Sequence, residues 1–288
     1  MVRFCSGKIQ MVQRSDADDT QPDTGDGKRR RSPLLTIPVP AEKALALVIR
    51  SVDFSESSRV LTLFTREFGR LGALAKGAKR LKGPFAGALD LLSVCRIVLI
   101  RKHSESLDLL TEAELVKGFA PDRNRLQVLY AGYYVAELLR ELTEDYDPHS
   151  ALFDAAVECL RGLESKVNPQ LAVRRFELAT LRETGHLPQF AACVACGRVM
   201  TGNRSVTFSA AAGGVLCPSC GADRGTVRLS AGSLKVIKLL SDATSNQWRR
   251  LQVRVGMDRE IETVTRATIE HLVGRKLQTA QFLGEASS

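Results

Sequence analysis

The spacing of apolar and polar residues changes character twice along the 288 residues and divides the chain into three stretches. Up to about residue 40 no apolar period is kept. The stretch holds an acidic group (Asp16, Asp18, Asp19, Asp23, Asp26), the basic residues Lys28, Arg29, Arg30 and Arg31, and prolines at 33, 38 and 40. Such a segment buries too little apolar surface to offset its ordering entropy, so residues 1–40 are expected to form a disordered extension. Short apolar and β-branched runs follow at residues 44–51, 59–65, 70–76, 91–102 and 107–114, with turn residues between them, as at Ser55, Ser57, Ser58 and Gly69. Five strands within some seventy residues predict a small barrel over residues 41–118. Oligonucleotide-binding (OB) and SH3-like barrels both satisfy that pattern.

Beyond residue 120 the period becomes helical. Residues 124–142 place Leu126, Leu129, Tyr130, Tyr133, Leu138 and Leu142 on one stripe and Val128 and Val135 beside it. That is too much apolar surface for a half-exposed helix, so it is expected in the core or lining a groove. A second helix is expected over residues 150–163. A third starts at Asn168-Pro169, where asparagine caps and proline takes the first helical position, and stops at Gly185. Two more are expected over residues 230–240 and 258–277. The fold class is therefore α+β and multidomain, a barrel followed by a mostly helical domain over residues 119–288.

Among these helices lies the sharpest chemical signal. Cys193-Val-Ala-Cys196-Gly and Cys217-Pro-Ser-Cys220-Gly are two C-x2-C knuckles. Each presents two thiolates from one tight turn, and a pair of knuckles completes a tetrahedron around Zn2+. The following Gly197 and Gly221 suit the positive φ that such turns require. Residues 206–208 and 213–216 read as a short hairpin, so a zinc finger inserted at about residues 190–225 is expected. Four sulfur ligands leave no open position, so the zinc would be structural. His186 reads as a loop residue. Cys5, Cys95 and Cys159 sit in unrelated contexts, which fits a reducing compartment better than a disulfide framework.

Charge adds a second signal. With 41 basic and 32 acidic residues the formal charge is +9, which favours a polyanionic partner. The basic residues Lys76, Lys79, Arg80 and Lys82 cluster between the third and fourth strands without an intervening acid, and Arg101 and Lys102 close the fourth strand and are expected to extend the same DNA-binding surface. On a barrel this loop reads as a phosphate contact, weighed against a solvated loop. Aromatic content is only 6%, so stacking is expected to contribute less than charge. Asp108, Glu112 and Glu114 read as a solvent face. The Gly72–Gly77 spacing lacks the Lys-Ser/Thr of a nucleotide-binding loop, and no nucleophile has a base beside it. Binding rather than catalysis is expected, with no nucleotide. No apolar run spans a membrane and the start lacks a secretory signal, so a cytoplasmic, nucleoid-associated location is expected.

The order of motifs resembles the RecO family of DNA repair and recombination mediators. The residues that carry it are A-L-A-L-V-I-R-S-V-D-F-S-E-S-S-R-V-L-T-L-F-T-R-E-F-G-R-L-G-A-L-A-K-G-A-K-R over 44–80, G-A-L-D-L-L over 87–92 and L-T-E-A-E-L over 110–115. R-F-E-L-A-T-L-R-E-T-G-H-L-P-Q-F over 175–190, leading into the cysteine knuckles, extends it. The resemblance implies an OB barrel, a helical bundle and a zinc finger set into it. It also implies binding of single- and double-stranded DNA, annealing of complementary strands, and recombinase loading onto DNA coated with single-strand-binding protein. That activity belongs to the RecF-type pathway, works without ATP and involves the partner RecR. By the same resemblance Lys76, Lys79, Arg80 and Lys82 would contact DNA, and the helix over 124–142 would help receive the tail of single-strand-binding protein. A zinc-ribbon scaffold with protein-only partners is the rival reading.

Overall fold

The computed structural model describes residues 40–80, 83–85, 87–102, 106–122, 125–165, 168–200, 205–221, 227–244 and 247–283. The expectations for residues 1–39 and for Lys82 lie outside them. Five strands, β1 (Ala41–Asp53), β2 (Arg59–Thr65), β3 (Gly69–Ala75), β4 (Val94–Ile100) and β5 (Asp108–Lys117), close into a barrel in the order β1-β2-β3-β5-β4. All neighbours are antiparallel except β3 and β5, which run parallel. This is the OB arrangement, and it removes the SH3-like alternative.

The strand sequences follow from which faces are covered. In β3, Leu71, Ala73 and Ala75 point inward and alternate with half-exposed residues, the signature of a strand buried on one side. In β1, residues 46–49 are all buried. Ala46 and Val48 fill the barrel, whereas Leu47 and Ile49 belong to the core shared with the helices. Burial on both faces therefore produces a continuous apolar run.

Helices α1 (Leu126–Leu142), α2 (Ser150–Glu164), α3 (Pro169–Glu183), α4 (Ala231–Ser241) and α5 (Val255–Val273) form the body. Helix α3 packs against the other four and is the central element. Its start is fixed by the Asn168 side chain, which accepts from the amides of Gln170 and Leu171. Helix α1 is a core helix, with Val128, Ala131, Tyr134, Val135, Leu138 and Leu139 buried. Helix α5 stops at Gly274, which adopts φ +74°, four residues before the expected end.

The body also buries charge. Glu177 on α3 accepts from Tyr134 Oη of α1 at 2.6 Å, from Thr265 Oγ1 of α5 at 2.7 Å and from Arg174 at 2.9 Å. Arg174 in turn reaches Glu262 at 3.2 Å and Asp258 at 3.8 Å, both on α5. Burial alone would depress the Arg174 guanidinium. Its three carboxylate neighbours more than offset this and hold it above its ordinary value. One ionic network thus joins three helices.

The barrel meets the body through Phe64 and Phe153, whose ring centroids lie 6.2 Å apart, and through ion pairs. Arg66 pairs with Asp154 through two 3.0 Å bonds, and Arg70 pairs with Asp145 at 2.6 Å. Asp108 corrects one expectation. It is fully buried, accepting from Lys102 N at 2.9 Å and Tyr146 Oη at 3.0 Å, whereas Glu112 and Glu114 do face solvent.

Candidate metal centre and nucleic-acid interface

Both knuckles lie beside a three-stranded sheet in the order β7-β6-β8, built from β6 (Val206–Ser209), β7 (Gly214–Leu216) and β8 (Val227–Leu229). The first two are the expected hairpin. Its inward residues Val206, Phe208, Val215 and Leu216, with Phe190 stacked on Phe208 at 6.1 Å, join the core of the helical body. Each knuckle is closed by amides turning back on its first cysteine. Gly197 N donates to Cys193 O at 2.8 Å, and Cys220 N and Gly221 N donate to Cys217 O at 3.0 Å.

The two glycines serve different ends. Gly197 has φ +73°, as expected. Gly221 is not among the positive-φ residues. A Cβ there would lie 1.9 Å from Thr207 Oγ1, so its role is close approach to β6.

The sulfurs of Cys193, Cys196, Cys217 and Cys220 all lie within 4.8 Å of one another, and Cys196 Sγ and Cys217 Sγ are 3.7 Å apart. A tetrahedron with metal–sulfur bonds of about 2.3 Å has edges of about 3.8 Å, so the spacing fits such an ion. The thiol chemistry agrees. Amide donation, chiefly from Cys217, holds the Cys193 thiol down to about 6. Neighbouring Cys217 and Cys196 and burial push Cys220 up to about 12. Four sulfurs this close resist complete ionisation unless a cation offsets their charge. Among the described residues this is the one group of cysteine, histidine and acidic side chains arranged to hold a metal.

The basic turn follows β3. Lys76 and Arg80 are exposed and take part in no ion pair found among the described residues. Lys79 is tied down: its amide donates to Ser57 O at 3.1 Å, and its ammonium meets Asp53 at 2.8 Å. That ammonium holds the Asp53 carboxyl below its usual value. The basic turn is therefore braced against the β1–β2 turn. Arg101 is engaged elsewhere. Its guanidinium lies over Phe68 at 5.5 Å and Tyr146 at 4.8 Å and reaches Glu42 at 3.8 Å. Phe68 precedes β3 while Lys76 follows it, so Arg101 and the basic turn flank opposite ends of that strand. Lys102 is exposed.

Two features of this surface escaped sequence reasoning. The exposed Arg50 adds a cation near the end of β1, and Phe54 keeps 67% of its surface exposed at the β1–β2 turn. The only hint was an aromatic among turn-forming serines.

The family profile described as "Recombination protein O N terminal" matches residues 41–119, and "Recombination protein O C terminal" matches residues 123–281. A protein of Rhodopirellula baltica named "DNA repair protein RecO" is 46% identical over 177 residues, 61% of this chain and 66% of that protein. Proteins of the same name from Anaeromyxobacter dehalogenans and Myxococcus xanthus are 35% and 32% identical, over 84% and 83% of this chain and 96% of each relative.

Proposed function

This chain belongs to the RecO family of DNA repair proteins, and from that premise we propose that it binds single- and double-stranded DNA and anneals complementary strands. In this reading the barrel, residues 41–118, is the nucleic-acid-binding domain, and residues 119–288 carry the zinc finger and the protein contacts. The protein acts without a nucleotide as a mediator in the RecF-type pathway. With RecR it helps load recombinase onto DNA coated with single-strand-binding protein, at the nucleoid.

The observation that carries this reading is the exposed turn after β3, where Lys76 and Arg80 keep their charges available. Cations so placed neutralise phosphates and release counterions, which gives binding that ignores base sequence and weakens steeply with salt. Holding two backbones on one cationic surface lowers their repulsion and raises the local concentration of both strands. Lys79 braces the turn first, and its exposed pair with Asp53 can be exchanged for a phosphate. Lys82 completes the cluster in sequence, and Arg101 and Lys102 form a second, smaller group.

Cys193, Cys196, Cys217 and Cys220 would hold a zinc ion. When bound it supplies a cross-link rather than reactivity, because four sulfurs close its coordination shell. The exposed Leu126 at the start of α1, with half-buried Leu129, Tyr130 and Tyr133 beside it, would help build the surface that receives the tail of single-strand-binding protein.

Annealing of labelled complementary strands, with and without single-strand-binding protein, tests the proposal. Acceleration in both conditions supports it. Failure to bind either DNA form at low salt leaves the protein-only scaffold in its place.

A further inference from the structure

The barrel's four aromatic side chains differ sharply in exposure. Phe64 and Phe85 are buried, and Phe68 is half-buried under Arg101. Phe54 alone stands in solvent, 67% exposed. A phenyl ring left in water forgoes the stabilisation that burial would bring, so its presentation calls for a cause.

The ring is held on a fastened turn. Phe54 N donates to Ser58 O at 3.0 Å and Ser55 N to the same oxygen at 3.3 Å, while Ser58 N donates to Ser55 Oγ at 3.2 Å. Next to it, Ser57 O accepts from Lys79 N at 3.1 Å. Asp53 joins Lys79 at 2.8 Å to Arg59 at 3.3 Å. The strand register sets Asp53 opposite Arg59 and Arg59 opposite Ala75, so Phe54 and the basic turn share one end of the barrel. Arg50, Val52 and Phe54 occupy alternate positions at the end of β1 and are all exposed. Phe54 and the cations Lys76 and Arg80 thus lie at the same end of the barrel, with Arg50 three residues further back along β1 than Asp53.

We propose that Phe54 is a base-stacking residue, the platform for an unpaired base of single-stranded nucleic acid, with Lys76, Arg80 and Arg50 holding the flanking phosphates. The inference rests on the DNA-binding reading and deepens it by naming the substrate class that this end of the barrel prefers. An aromatic face stacks on any base, so sequence is ignored. Bases inside a duplex are already stacked on their neighbours. Phe54 therefore discriminates between strand states, whereas the cations do not.

The test uses the full chain. Its one tryptophan, Trp248, is 2% exposed, so Phe54→Trp adds a reporter in solvent. A thymine oligonucleotide should quench that fluorescence, and a duplex of equal length should not. Phe54→Ala should lose about fivefold or more in affinity for the single strand, the lower end of what one stacked base contributes. Affinity for duplex should stay unchanged. Phe54→Tyr should retain single-strand affinity, whereas Phe54→Leu, apolar but without a π face, should behave as alanine does.

Full affinity in Phe54→Leu, or equal loss for both DNA forms in Phe54→Ala, overturns the stacking role. Lys76→Glu with Arg80→Glu separates the two readings. If that variant loses both DNA forms while Phe54→Ala loses neither, DNA binding stands and the stacking role falls. If wild-type protein binds neither form at low salt, the DNA-binding reading itself falls.

Discussion

The barrel and the helical body use charge in opposite ways. The barrel core is built mainly from apolar residues such as Leu61, Leu63, Leu71, Ile97 and Leu99, with Asp108 its one buried carboxylate among the described residues, and most of its cations lie on the outside. The body draws charges inward. Arg174 and Glu177 are buried, and Glu137 on α1 accepts from Gln278 N at 2.8 Å and Thr279 N at 2.9 Å to fasten the last described segment. Four of its five thiols meet at one point. Charges buried in the body hold its own elements together. Charges exposed on the barrel remain available to a partner. Removing a charge should therefore cost stability in the body and binding on the barrel.

The largest effect is expected at the thiols. Cys193→Ser, or treatment with a strong chelator, should reduce bound zinc from about one per chain to none. Hydrogen exchange should then show loss of amide protection across β6 and β7, with the barrel unaffected. Full protection without metal would make the ribbon self-sufficient.

Glu177→Ala comes next. It leaves Arg174 buried without its nearest partner, and breaking such a pair costs about 3–5 kcal/mol, readable as a lower urea midpoint. A change under about 1 kcal/mol would mean that the network relaxes without loss.

Glu137→Ala should cost about 1–3 kcal/mol by stranding the donors of Gln278 and Thr279. Burial alone would raise the Glu137 carboxyl, but those donors more than offset it and hold the group below its ordinary value. A depressed carboxyl contributes stability that is fully present above the unfolded value and is lost as pH falls through the folded one. Wild type should therefore lose more stability than Glu137→Ala on acidification through that window. Parallel acid unfolding curves would remove Glu137 as the fastener.

How much of this was readable in advance depended on whether the cause was local. Strand β2 and the start of α3 were read correctly because an apolar, β-branched run and the Asn168-Pro169 cap act within a few residues. The cysteine knuckles were legible for the same reason. Strand β8 was missed because Val227-Arg-Leu229 is too short to show a period and exists only as a partner of β6. Asp108 looked like a surface acid because one donor, Tyr146 Oη, comes from 38 residues away, and a backbone donor such as Lys102 N leaves no mark in the sequence. Arg174 and Glu177 have the spacing of an ordinary exposed helix pair, and only the packing of α1 and α5 buries them. Arg101 looked like part of one basic surface until its ring partners fixed it beside Phe68.

The smallest change in stability and the most direct test of the account coincide at Lys76 and Arg80. The double substitution Lys76→Glu with Arg80→Glu should leave the urea midpoint within about 0.5 kcal/mol of wild type, as expected for exposed positions. The deciding measurement is single-strand affinity as a function of salt. Loss of two phosphate contacts should make the log–log slope shallower by about 1.4, with affinity reduced alike for every sequence. A slope and affinity identical to wild type would contradict the claim that this turn grips the DNA backbone.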